Sequence, residues 1–164
     1  MAHHDSTDSK ATLQILVVDD DPSIRLLCAT SLTKAGYRVL QAEGSSEAMA
    51  LYATSAGPID LLLTDLFLSP PGFAILSRGN QYPRVNGNDL VQQVLSVKKE
   101  LRVLFMSSHA LSHLASQGIM IEPERFLPKP FTVEYLLTRV TAALAAAPIA
   151  RAPHTAPVSA SGTE

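Results

Sequence analysis

Short apolar runs alternate along the chain with longer stretches whose apolar residues recur at helical spacing. The first run, residues 13–18, ends in Ile15-Leu16-Val17-Val18. A branched apolar run with no polar face reads as a strand buried on both sides of a parallel sheet. Residues 22–34 follow as a helix, opened by Pro22, with Ile24, Leu27, Cys28 and Leu32 on one side and Gly36 as its stop. The alternation continues with strands over 37–42, 59–64, 101–106 and 125–127, and helices over 44–55, 88–99, 110–117 and 132–147. The last helix turns Val133, Leu136, Leu137, Val140 and Leu144 inward. Parallel neighbours need crossover connections, so this alternation predicts an α/β domain with a parallel sheet and helices on both faces.

The remaining segments break the pattern. Residues 1–12 are polar and read as a flexible N-terminal tail, with His3 and His4 given little weight as ligands. Residues 148–164 are rich in Pro, Ala, Ser and Thr and read as a disordered C-terminal tail. Between them lies one domain, 13–147, with an extended loop over 66–86. That loop carries the turn signals Pro70-Pro71-Gly72, Gly79-Asn80 and Pro83 around an apolar Phe73-Ala74-Ile75-Leu76. Connections this long in a compact domain are uncommon and often functional.

Composition narrows the function classes. The chain has 164 residues, enough for one domain with a substantial core. Its net charge of −2 gives no electrostatic footprint for DNA. No apolar run has membrane-spanning length, and no signal peptide opens the chain, so a cytoplasmic location is the default expectation. The single cysteine, Cys28, sits on an apolar helix face and reads as core.

The candidate chemistry lies at the strand ends. In open α/β sheets, ligands bind outside the carboxyl ends of the strands. Asp19-Asp20 follow the first strand, Asp65 the third, Ser107-Ser108 the fourth and Lys129 the fifth. Crowded carboxylates repel unless a cation or a shared proton compensates. Oxygen ligands suit Mg2+, with Mn2+ as a second fit, and Mg2+ takes phosphate oxygens as co-ligands. A lysine beside them supplies a point charge, and a serine hydroxyl a hydrogen bond, toward a phosphoryl group. A carboxylate can itself be the nucleophile and form an aspartyl phosphate. Asp21, just before Pro22, reads more simply as a helix N-cap than as a third ligand. Asp60 reads as a solvated turn residue, Lys98-Lys99 as a solvated helix end and His109 as a loop histidine near the site mouth; His113 and His154 have no partner spacing.

These motifs, taken in order, resemble a response-regulator receiver domain, the phosphoacceptor half of two-component signalling. The family pattern is an acidic pair after strand one, an aspartate after strand three, Thr or Ser after strand four, and Lys-Pro after strand five. Here they are Asp19-Asp20, Asp65, Ser107 and Lys129-Pro130. The wording Phe105-Met106-Ser107 and Phe126-Leu127-Pro128-Lys129-Pro130-Phe131 is most similar to receivers of hybrid histidine kinases. The resemblance implies a flavodoxin-like, doubly wound five-stranded sheet in the order 2-1-3-4-5. It implies that Asp65 accepts the phosphoryl group. Asp19, Asp20, Asp65 and the Phe67 backbone carbonyl would hold Mg2+. Ser107 and Lys129 would bind the phosphoryl oxygens, and Ser107 and Phe126 would form the switch. Lys129-Pro130 would be a cis peptide bond.

The implied partners are a sensor histidine kinase or a histidine phosphotransfer domain as donor, and a downstream protein target. No DNA or membrane is implied, and a homodimer is left open. The chain would be a phosphoacceptor with self-catalysed transfer and dephosphorylation rather than an enzyme. The short polar tail leaves no output domain, which implies a stand-alone receiver. Two departures stand out. The family runs through a short loop from its phosphoacceptor to a glycine, here Gly87, so residues 66–86 enter as an insertion beside the site. Phe67 also replaces a residue that is usually smaller or polar. A tolerated surface insertion is the simpler reading; the other is a lid or docking element using Arg78, Tyr82 or Arg84. Two rival functions remain. A pseudo-receiver would bind proteins without being phosphorylated. An aspartate-nucleophile phosphatase would use the spacing of Asp19 and Asp21, but it lacks chain for a cap domain.

Overall fold

The computed structural model describes residues 12–68 and 87–151. The expectations for both tails, His154, the apolar Phe73–Leu76 stretch, Arg78, Tyr82 and Arg84 lie outside the described residues, apart from the first residues of the C-terminal tail.

Strand β1 (Gln14–Val18) leads into helix α1 (Pro22–Lys34). Asp21 caps α1: its carboxylate accepts from Ser23 N at 2.8 Å, and Pro22 occupies the first turn, where no amide is needed. At the other end Gly36 adopts φ +95°, the left-handed conformation that only glycine enters at little cost. Tyr37 N then donates to Leu32 O and Gly36 N to Thr33 O, which closes the helix and turns the chain into β2 (Arg38–Ala42). Helix α2 (Ser45–Thr54), strand β3 (Leu61–Asp65) and helix α3 (Gly87–Val97) follow. Next come β4 (Glu100–Leu101), β5 (Val103–Ser107) and the short α4 (Leu111–Ser116). A 3-10 turn (Pro123–Arg125), β6 (Phe126–Pro128), α5 (Val133–Ala145) and β7 (Ile149–Ala150) complete the order.

Five strands form one parallel sheet in the order β2-β1-β3-β5-β6. This is the doubly wound order that the family resemblance implies, with β5 and β6 as its fourth and fifth strands. Its two faces carry separate cores, as a period-two strand demands. Leu16, Val18, Leu62, Phe105 and Phe126 face Leu90, Val94 and Leu114 of α3 and α4. Ile15, Val17, Leu61, Leu63, Leu104 and Met106 face Cys28 and Leu32 of α1 and Leu136 and Val140 of α5. Burial, reinforced by the charge of Asp19, pushes the Cys28 thiol up to about 12, so Cys28 is an inert core group.

Two differences from the sequence reading concern the opposite end of the sheet. The expected strand 101–106 is broken at Arg102, whose carbonyl still accepts from Leu62 N. Glu100–Leu101 turn aside and pair antiparallel with Ile149–Ala150. Those two residues fall in the segment expected to be disordered, and arginines hold the residues just before it: Arg102 Nε donates to Ala146 O at 3.1 Å and Arg125 Nη2 to Ala147 O at 2.9 Å. Asp60, expected to be solvated, instead accepts from Gln14 N at 2.7 Å and joins the starts of β1 and β3. Among the described residues, no helix is long and apolar enough to cross a membrane.

Candidate functional site

The sheet register assembles the site. Val18 lies beside Thr64, Asp65 beside Met106, and Ser107 beside Pro128. Residues in these last pairs or just past them therefore share one edge: Asp19 and Asp20, Asp65, Ser107 and Lys129. Asp19 is fully buried, Asp65 half-buried and Asp20 exposed, and one carboxylate oxygen from each lies within 4.8 Å of the others. Lys129 Nζ reaches across this group, donating to Asp19 Oδ2 at 2.6 Å and lying 3.5 Å from Asp65 Oδ1. Lys129-Pro130 is cis, as the family resemblance implied.

Every polar atom of Asp19 is held. Its amide donates to Ala42 O, its Oδ1 accepts from Asp21 N at 2.9 Å, its Oδ2 takes the Lys129 ammonium, and its carbonyl accepts from Arg25 Nη1 at 2.6 Å. Ser107 is buried at the edge, and its Oγ accepts from His109 N at 3.1 Å. Phe67 sits two residues beyond Asp65, with its ring edge-on to His109 at 5.1 Å between centroids. His109 in turn stacks on His113 at 5.4 Å. Phe126 is buried in the core beneath α4, its backbone beside Phe105.

The charges do not balance. Burial pushes the Asp65 carboxyl up to about 6; Lys129 opposes this, while the charges of Asp19 and Asp20 add to it. For Lys129, burial works against the ammonium, but its hydrogen bond to Asp19 and the charges of Asp65 and Asp19 outweigh that and raise its pKa. The two results agree with the distances: Lys129 spends its short bond on Asp19 and leaves Asp65 under-compensated. Among the described residues Asp19 and Asp65 share the Lys129 ammonium, and Asp20 adds a third carboxylate at a partly dry site. An oxygen-ligated divalent cation fits this donor set.

Five of the six side chains expected from the strand ends, all but the exposed Ser108, are thus brought to one edge. Sequence reasoning missed Arg25, which reads as one more solvated helix residue. It found Gly87 only as a landmark. In the structure a Cβ at Gly87 would collide with the backbone oxygen of Asp65 and press on Thr64 Cγ2, and Gly87 N donates to Leu66 O at 2.7 Å. Glycine is therefore required for α3 to start directly against the Asp65 peptide.

Comparison with known proteins bears on this arrangement. The response regulator receiver domain family model matches residues 15–78. The chain is 30% identical over 132 residues to response regulator MprA of Mycolicibacterium vanbaalenii, covering 80% of this chain and 50% of that protein. It is 24% identical over 135 residues to sensor kinase CckA of Brucella abortus, covering 82% of this chain and 13% of that one. The chain thus spans half or less of the length of these two relatives. Among solved structures, the HemR receiver domain of Leptospira biflexa superposes with a TM-score of 0.59 at 29% identity, covering 83% of this chain and 97% of that one.

Proposed function

Starting from a chain that belongs to the response-regulator receiver family, we propose that Asp65 is its phosphoacceptor and that the donor is a phosphohistidine. The observation that carries this is the under-compensated Asp65 carboxylate beside Lys129, in a cluster with Asp19 and Asp20. A carboxylate oxygen of Asp65 attacks phosphorus, the P–N bond breaks, and the imidazole leaves with its electron pair and takes up a proton. The product is an acyl phosphate on Asp65. No general base is required, since the carboxylate attacks in its ionised form.

Asp19, Asp20, Asp65 and the Phe67 carbonyl would hold Mg2+, or Mn2+ in its place. When bound, the ion supplies charge neutralisation for the phosphoryl oxygens. The chain's own residues do the remainder. Lys129 keeps its proton, because its pKa is raised, and pairs with a phosphoryl oxygen. Ser107 turns its Oγ–H from the β5 end toward the phosphoryl group. Asp19, held at every polar atom, orients the ammonium and the acidic pair. Positioning and fixed charge of this kind supply most of the catalysis in phosphoryl transfer.

The donor class is a sensor histidine kinase or a histidine phosphotransfer domain, and a cytoplasmic setting goes with it. The similarity to both MprA and CckA supports a kinase-linked donor. The output is a protein contact. A shift of Ser107 toward the phosphorylated Asp65, followed by Phe126, would bias the surface around α4 and α5. Incubation with acetyl phosphate and Mg2+, read by intact-protein mass spectrometry, tests the acceptor. Wild type gains one phosphoryl group and Asp65→Asn gains none. No gain in wild type would favour the pseudo-receiver. A gain that survives Asp65→Asn removes the assignment of Asp65.

A further inference from the structure

We infer that Arg25 is a positioning residue for the acidic pair. The inference rests on the proposed role of Asp19 and Asp20 in holding a divalent cation. Arg25 lies in the first turn of α1, and its backbone amide donates to Asp21 O, so the helix fixes its origin. Its side chain runs back toward the end of β1, where Nη1 donates to Asp19 O at 2.6 Å. The guanidinium is mostly buried, and its other arm lies 4.0 Å from the exposed Glu43 carboxylate, too far and too wet to contribute much. The bond to Asp19 O is thus the main polar contact of this side chain.

That carbonyl is a meaningful place to hold. Asp19 C=O and Asp20 N–H belong to one rigid peptide plane. Fixing the oxygen constrains the plane that carries the Asp20 Cα, and so limits how its side chain leaves the backbone. The other three polar groups of Asp19 are anchored by Ala42, Asp21 and Lys129. Arg25 completes the set, so Asp19 cannot rock when its carboxylate changes partner. Asp20 is exposed, and packing does little to orient it. The plane that Arg25 holds carries the Asp20 Cα and so contributes to its direction.

Electrostatics alone makes the opposite forecast. A cation beside three carboxylates repels an incoming metal ion, so deleting Arg25 should tighten metal binding if charge is all it contributes. Positioning forecasts weaker binding, because partners that orient metal ligands typically contribute 10- to 100-fold, roughly, in affinity. The sign of the change separates the two.

The test is Mn2+ titration by calorimetry on the full chain, for wild type, Arg25→Met and Arg25→Lys, with thermal unfolding of each metal-free protein. Arg25→Met keeps the apolar stem and loses the donors. The expected result is Mn2+ affinity about tenfold weaker in Arg25→Met at a temperature where that protein is fully folded. Arg25→Lys keeps the charge without the planar fork, and it is expected to weaken binding as well. Unchanged or tighter Mn2+ binding in Arg25→Met overturns the inference, whatever happens to its melting temperature. Absence of Mn2+ binding in wild type removes the acidic-pair reading and the inference with it. Saturable binding in wild type abolished by Asp20→Asn shows that reading standing, so a failure of Arg25 alone is recognisable.

Discussion

At the scale of single residues, Asp65 is held at a cost to the fold. Its carboxyl sits at about 6 against an ordinary 3.8 because burial and two neighbouring carboxylates disfavour the ionised form. An acid raised in this way binds its proton longer in the folded protein than in the unfolded chain. The contribution of Asp65 to stability is therefore most favourable below pH 4, falls as the pH rises through the interval up to about 6, and stays reduced above it. Such a shift corresponds to about 3 kcal/mol, the Asp65 side chain being only 13% exposed although the residue as a whole is half-buried. Asp65→Asn, measured by urea unfolding in EDTA, should accordingly be more stable than wild type by about 2–3 kcal/mol at pH 8, with the gap closing below pH 4. A variant less stable than wild type at pH 8 would mean that Lys129 compensates Asp65 fully. Gly87 carries a second prediction. Gly87→Ala forces a methyl group into the Asp65 carbonyl, and backbone cannot swing aside as a side chain can. A loss of about 1–3 kcal/mol in urea unfolding is expected.

At the scale of elements, the apolar runs were legible because both faces of the sheet are covered. Ile15 to Val18 and Leu61 to Leu63 are fully buried, which leaves no polar face to confuse the pattern. Helix α1 was legible through its ends rather than its middle: Asp21 and Pro22 open it and Gly36 closes it. The break at Arg102 was not legible. Leu101 is buried and apolar, like the strand that follows, and only its pairing with Ile149 shows that it belongs to a different ladder. Two-residue strands carry no periodicity, and a long-range partner leaves no local trace. The same pairing ties residues 149–150 to the body, where Pro- and Ala-rich composition suggested a free tail. Ile149 packs half-buried on the core that contains Leu101. Ile149→Ala should lower stability by about 1 kcal/mol in urea unfolding, whereas a loosely attached tail would give no change. Arg25 was illegible for a related reason. A guanidinium that binds a backbone oxygen six residues away looks, in sequence, like any solvated helix cation.

At the scale of the molecule, the site was legible in outline because topology does the assembling. Four strands that end in Asp, Asp, Ser and Lys have no need to be near one another in the chain. A parallel sheet in register brings their ends to one edge, so reading strand ends amounted to reading which residues cluster there. What topology does not encode is the division of labour among the carboxylates. Asp19 takes the lysine, Asp20 faces outward and Asp65 is left under-compensated, and those assignments follow from distances and burial. The central claim is that this under-compensated carboxylate is the one that reacts. Reductive trapping tests it most directly. The protein is charged with acetyl phosphate and Mg2+, treated with borohydride, which converts an aspartyl phosphate to homoserine, and mapped by peptide mass spectrometry. The account predicts homoserine in place of Asp65, and aspartate unchanged at Asp19 and Asp20. Homoserine at either of those two positions, or at none of the three, would contradict it.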